Sequence, residues 1–111
     1  GNKMTSRPWR QEIELLQNYG KHKTFTVTTS DGNALDVVTI SGVMQECNKV
    51  SLICELGAAY IAFDQDASSS NGMYLPQDEG YFDSEIWIGE KISVIRATST
   101  NVRVRGIVWG R

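Results

Sequence analysis

The stretch Lys91-Ile92-Ser93-Val94-Ile95-Arg96-Ala97-Thr98-Ser99-Thr100-Asn101-Val102-Arg103-Val104-Arg105-Gly106-Ile107-Val108-Trp109 holds two β-type runs around a compact polar turn. In the second run Val102, Val104 and Val108 fall on one side and Arg103, Arg105 and Trp109 on the other. That period of two is what buries one face of a pleated strand. Thr98-Ser99-Thr100-Asn101 supplies the turn formers, so the stretch predicts a hairpin.

Working outward, the same signals recur. Thr24-Phe25-Thr26-Val27-Thr28-Thr29 is almost wholly β-branched or aromatic and predicts a half-buried strand. Ser30-Asp31-Gly32-Asn33 follows with an Asp-Gly turn, and Leu35 to Val43 returns, predicting another hairpin with Gly42 at its end or in a bulge. Val50, Leu52 and Cys54 share one face of the run from Lys49 to Glu55. Ala59 to Phe63 predicts a further strand, and Met73-Tyr74-Leu75 is stopped by Pro76, which marks a sheet edge. Tyr81-Phe82 and Ile86-Trp87-Ile88 complete a set of about eight short strands. No helix alternates with them, which excludes the parallel-sheet nucleotide-binding architectures. The expectation is an all-β, antiparallel β-sandwich over residues 23–111. A jelly-roll-like arrangement is preferred because the cysteine separation and mid-strand Trp of a disulfide-bonded immunoglobulin domain are absent.

Residues 1–22 read differently. Ser6 can cap a helix, Pro8 suits its first turn, Trp9, Ile13 and Leu16 recur at helical spacing, and Gly20 reads as the stop. So short a helix needs a surface to dock on. The segment is expected to be an N-terminal arm outside the sandwich, with Lys21-His22-Lys23 a basic run ahead of the first strand.

Composition bounds the function. The 111 residues are 41% hydrophobic and 22% charged, with a net charge of −2, which describes one small domain. Nucleic-acid binding is not expected without clustered Lys and Arg. No run approaches the ~20 apolar residues of a membrane span, and no signal-type segment is seen. Cys47 and Cys54, seven apart, form neither a redox nor a zinc pair, and His22 is the only histidine, so buried thiols are expected and no metal. Asp64-Gln65-Asp66-Ala67-Ser68-Ser69-Ser70 alternates oxygen donors, but Ser69 stands where a calcium loop needs Gly and Leu75 where it needs Glu. Its Asp side chains are expected to cap their own loop. The acidic pairs Asp78-Glu79 and Asp83-Glu85 lack any His, Cys or Lys constellation, so neither an enzyme nor a cofactor is expected.

Two groups qualify as binding surfaces. Tyr74, Tyr81, Phe82 and Trp87 fall in one glycine-punctuated stretch, and exposed rings stack on sugars or anchor interfaces, although Phe82 and Trp87 read first as core aromatics. Arg103 and Arg105 lie beside Trp109, an arrangement that favours planar contact with the carboxylates or rings of a partner.

The order Ala58-Ala59-Tyr60-Ile61-Ala62-Phe63-Asp64, Asn71-Gly72-Met73-Tyr74-Leu75-Pro76, Gly89-Glu90-Lys91-Ile92-Ser93-Val94-Ile95-Arg96-Ala97 and Val102-Arg103-Val104 resembles small β-sandwich virion proteins of tailed bacteriophages. These include capsid decoration (cement or staple) proteins and head-fibre-like proteins. The likeness covers roughly residues 49–109 and leaves out the arm. It implies a non-catalytic protein made in the host cytoplasm and placed on the capsid exterior, with the major capsid protein as partner. A homo-oligomer is implied too, with a dimer favoured. Trp9, Ile13, Leu15 and Leu16 would dock the arm on the capsid and order as they bind. The alternative is a carbohydrate-binding module, or a receptor-binding fibre or tail component, using Tyr74, Tyr81 and Trp87 as stacking platforms.

Overall fold

A computed structural model describes residues 21–111. Eight strands run in chain order: β1 (Lys21–Thr29), β2 (Leu35–Thr39), β3 (Cys47–Glu55), β4 (Ala59–Phe63), β5 (Met73–Leu75), β6 (Gly80–Asp83), β7 (Lys91–Arg96) and β8 (Val102–Gly110), with a 3-10 turn at Ile40–Gly42 after β2. They form two four-stranded antiparallel sheets, ordered β1-β8-β3-β6 and β2-β7-β4-β5. Neither sheet closes into a barrel. Among the described residues no helix is long and apolar enough to cross a membrane.

The two expected hairpins do not form. β1 pairs with β8 (Thr29↔Val102) in the first sheet, and β2 pairs with β7 (Leu35↔Val94) in the second. Both polar turns are present, but each carries the chain across the sandwich. Asp31 Oδ1 accepts the Asn33 N–H at 3.0 Å and Gly32 takes φ +80°, as an Asp-Gly turn should. Arg96 ties the two corners together, donating to the carbonyls of Ser30 and Ser99. Alternation specifies which face of a strand is buried. Both sheets bury the same kind of face, so alternation is silent on which sheet a strand joins.

Strand patterning otherwise holds. In β3 Val50, Leu52 and Cys54 are buried, and in β8 Val102, Val104 and Val108 are buried. These side chains meet Ile61, Ile92 and Val94 from the second sheet to form one core, closed at one end by Ile40, Met44 and Ile88. A register shift between Cys47 and Lys49 lets Cys47 and Val50 both point inward although they are three residues apart. β5 is an edge strand, as Pro76 indicated. Leu35 to Val43 breaks into β2 and the 3-10 turn, with its register shift at Asp36/Val38 and not at Gly42. Ile86-Trp87-Ile88 is not a strand and contributes only a single bridge, Ile88↔Cys47. Lys21-His22-Lys23 belongs to β1, so the sandwich begins inside the segment expected to be the arm.

The 64–72 loop folds over the outer face of the second sheet. Its Ala67 is buried, and the Ala67 N–H donates to Oγ of fully buried Ser93 at 2.9 Å. Asp64 does not cap its own loop. Its carboxylate accepts the N–H groups of Gly89 (3.0 Å), Glu90 (2.7 Å) and Lys91 (3.1 Å), while Asp66 and Asp36 pair with the Lys91 ammonium. Local capping falls instead to Asn71 and Ser68. With the second sheet partly roofed, the outer face of the first sheet is the open one among the described residues.

Candidate functional site

Strand parity and register build the outer face of the first sheet. From β8 come Arg103, Arg105, Ile107 and Trp109. From β3 come Lys49, Ser51, Ile53 and Glu55, and from β6 comes Phe82, opposite Ser51. Thr24, Thr26 and Thr28 of β1 sit opposite Ile107, Arg105 and Arg103. The Lys49 ammonium lies 4.5 Å from the Trp109 ring centroid and 5.6 Å from that of Phe82, which is 60% exposed. That is a cation held between two aromatic faces. Beside it a shallow depression of about 450 Å³ is bordered by Thr24, Ser51, Ile53, Gly80, Arg105 and Ile107.

Arg103 and Arg105 are on this face as expected, but they are not free. Both reach Glu55 across the strands, Arg103 Nε at 3.1 Å and Arg105 Nε at 2.9 Å from Oε1. Exposed pairs of this kind add little stability, about 0–1 kcal/mol each. Their effect is to fix two guanidinium planes against the sheet and leave a net positive face.

The aromatic set does not converge. Tyr74 lies on the outer edge of the second sheet, its ring 5.6 Å from that of Tyr60. Tyr81 points between the sheets towards Phe63, with ring centroids 6.0 Å apart, and donates its hydroxyl to Asp83 at 2.8 Å. Burial, then the Asp83 carboxylate, pushes its pKa up. Trp87 sits at the end of the sandwich, 62% exposed, and Nε1 donates to Glu46 Oε2 at 2.7 Å. Arg111 holds the other oxygen of Glu46 at 3.1 Å. The Trp87 hydrogen bond, then Arg111, hold the Glu46 carboxyl below its usual range. Phe82 and Trp87 are therefore exposed and not core, a correction that parity supports for Phe82. Tyr81 faces inward opposite Leu52, so its neighbour must face out. Lys49 and Trp109 were the members least visible in sequence; only the register of β3 on β8 brings them together.

Cys47 and Cys54 are buried free thiols. Burial, then the nearby Asp78 and Glu55, pushes Cys54 up to about 11. Burial also raises Cys47. Among the described residues no group of three or more His, Cys, Asp or Glu side chains is placed to hold a metal ion. Trp9, Ile13, Leu15 and Leu16 lie outside the described residues. No protein-family model matches the chain, and no curated protein matches it.

Proposed function

We propose that the chain is a structural virion protein that binds the outer surface of a phage capsid and stabilises it. The observation that carries this reading is the nested pairing of β1 with β8, β2 with β7, β3 with β6 and β4 with β5. In this reading that nesting is taken as the two Greek keys of a jelly roll, an architecture used repeatedly in viral capsid and lectin domains. Fold alone does not assign function. The site that supports it is the open outer face of the first sheet, where Phe82, Trp109 and Lys49 offer an aromatic anchor and Arg105 and Arg103 extend the same face towards the other end of β8. Such an anchor suits an acidic, partly apolar surface on the major capsid protein. The arm residues Trp9, Ile13, Leu15 and Leu16 add the second contact in this reading.

Co-sedimentation of the purified protein with particles that lack it tests the proposal. Saturable binding is expected, with affinity cut about tenfold or more by Phe82→Ser and by Lys49→Glu, in line with the loss of an interface anchor. Absence of binding, or binding indifferent to both changes, contradicts it.

The Tyr60–Tyr74 pair, in which Tyr74 is exposed, favours one second reading, a carbohydrate-binding surface. Specific glycan capture by the isolated protein, abolished by Tyr74→Ala and untouched by Phe82→Ser, would select that reading over capsid attachment.

A further inference from the structure

Three of the four sheet edges are blunted. β5 has three residues and runs into Pro76, β6 has four, and β2 has five with its register broken between Asp36 and Val38. β1 is different. It has nine residues paired one for one with β8, from Lys21↔Gly110 to Thr29↔Val102, without a shift. No described residue pairs with its other side. A long, regular edge presents a row of backbone N–H and C=O groups, which is a template for another strand.

We propose that β1 is a self-association edge. A second copy of the chain lays its own β1 antiparallel against it, across a two-fold axis, and joins two four-stranded sheets into one of eight. The strand's own charge layout selects this partner and this direction. The cationic positions Lys21 and Lys23 lie at one end of β1 and the rest of the strand is uncharged apart from His22. Full antiparallel overlap is centred on Phe25 and sets Lys21 opposite Thr29, Lys23 opposite Val27 and Thr24 opposite Thr26. A parallel copy in register would instead set lysine against lysine, and like charges directly opposite are destabilising. The centred register also sets Phe25 against Phe25 and makes two Thr–Thr pairs, both favoured cross-strand combinations. Each interface contact is repeated by symmetry, so the assembly closes as a dimer and does not grow into a fibre. In this register the two Lys21 positions lie at the outer ends of the joint. The inference goes beyond the capsid reading and is tested with no capsid present.

The test is sedimentation velocity on the full chain across a dilution series, with circular dichroism as the fold control. The wild type is expected to show a species of twice the monomer mass. Thr24→Glu with Thr26→Glu places Glu opposite Glu twice in the joint, while within the chain position 26 lies opposite Arg105, which a carboxylate suits. It is expected to raise the dimer Kd about tenfold or more. Thr24→Lys with Thr26→Lys should do the same, and mixing the two variants should restore the dimer as a heterodimer. A wild type that is monomeric throughout overturns the proposal. So does a dimer that both variants leave intact, or a pair of folded variants that do not recombine. Dissociation by Ile13→Asp with Leu16→Asp while the β1 variants remain dimeric assigns the contact to residues 1–20 and also overturns it.

Discussion

Replacing Asp64 probes the junction that sets the end of the sandwich. Its carboxylate collects three backbone N–H groups from Gly89, Glu90 and Lys91, between the Ile88 bridge and the start of β7 and next to Trp87. Hydrogen bonds to a charged acceptor contribute about 1.5–3 kcal/mol each when dry. Glu90 is exposed, and water replaces part of what is lost, so the three together are worth about 2–4 kcal/mol. Asp64 also sits at φ +62°, where Ala is strained and Asn is tolerated. Asp64→Ala should therefore lower stability by about 3–4 kcal/mol, a Tm drop on the order of 10–20 °C for a domain of this size. Asp64→Asn keeps one acceptor oxygen and the backbone preference but turns an N–H towards the Gly89 donor, and should cost about 1–2 kcal/mol. Burial raises the Asp64 pKa, but the three donors outweigh it and the folded-state value is lowered from its ordinary 3.8. A depressed carboxylate contributes its stability above the unfolded pKa and loses it as pH falls through the folded one. The gap between thermal melts of wild type and Asp64→Ala should therefore narrow as pH falls through the lowered folded-state pKa, leaving the part that backbone strain contributes. An Ala variant within experimental error of wild type at pH 7, or a gap of the same size at pH 7 and pH 2.5, refutes the reasoning.

Three further experiments test other parts of the fold. A Cβ at Gly106 would sit on the Ser51 carbonyl oxygen and 2.7 Å from Leu52 Cα, so Gly106→Ala should destabilise by about 1–3 kcal/mol in denaturant titrations, with no such cost at Gly42, where nothing lies within 4 Å. Leu56 is exposed at φ +75°, a conformation that Asn adopts more readily than Leu; Leu56→Asn should raise stability by about 0.5–1 kcal/mol, read as a higher unfolding midpoint. With Cys54 pushed up to about 11 and Cys47 also raised, both by burial first, a thiol-specific disulfide reagent at pH 8 should label the folded protein slowly. Both thiols should react promptly once urea unfolds it.

The sandwich was legible because its signal is local. Val50, Leu52 and Cys54 on one strand and Val102, Val104 and Val108 on another name their buried faces without help from tertiary structure. Pro76 likewise announces an edge, since it cannot donate to a ladder. The nesting of strands was not legible. Ser30–Asn33 and Thr98–Asn101 have hairpin chemistry, and whether such a turn folds back within a sheet or crosses to the other depends on contacts between residues 73 to 89 apart in sequence, in β1 and β8. On the surface, residue type and strand parity disagree. Phe82 and Trp87 look like core residues by type, yet Phe82 follows the inward-facing Tyr81, and Trp87 lies outside any strand against Glu46. The Arg103–Arg105 pair was visible on its strand, but its pairing with the single carboxylate of Glu55, from the middle of the chain, was not.

The capsid reading is tested most directly by heating purified virus particles made with and without this protein and recording the temperature at which their contents are released. The account predicts earlier release from particles that lack the protein, restored by adding back the wild type and not by adding the Phe82→Ser variant. Identical release temperatures for the two kinds of particle, with the added protein left in the supernatant, would contradict it.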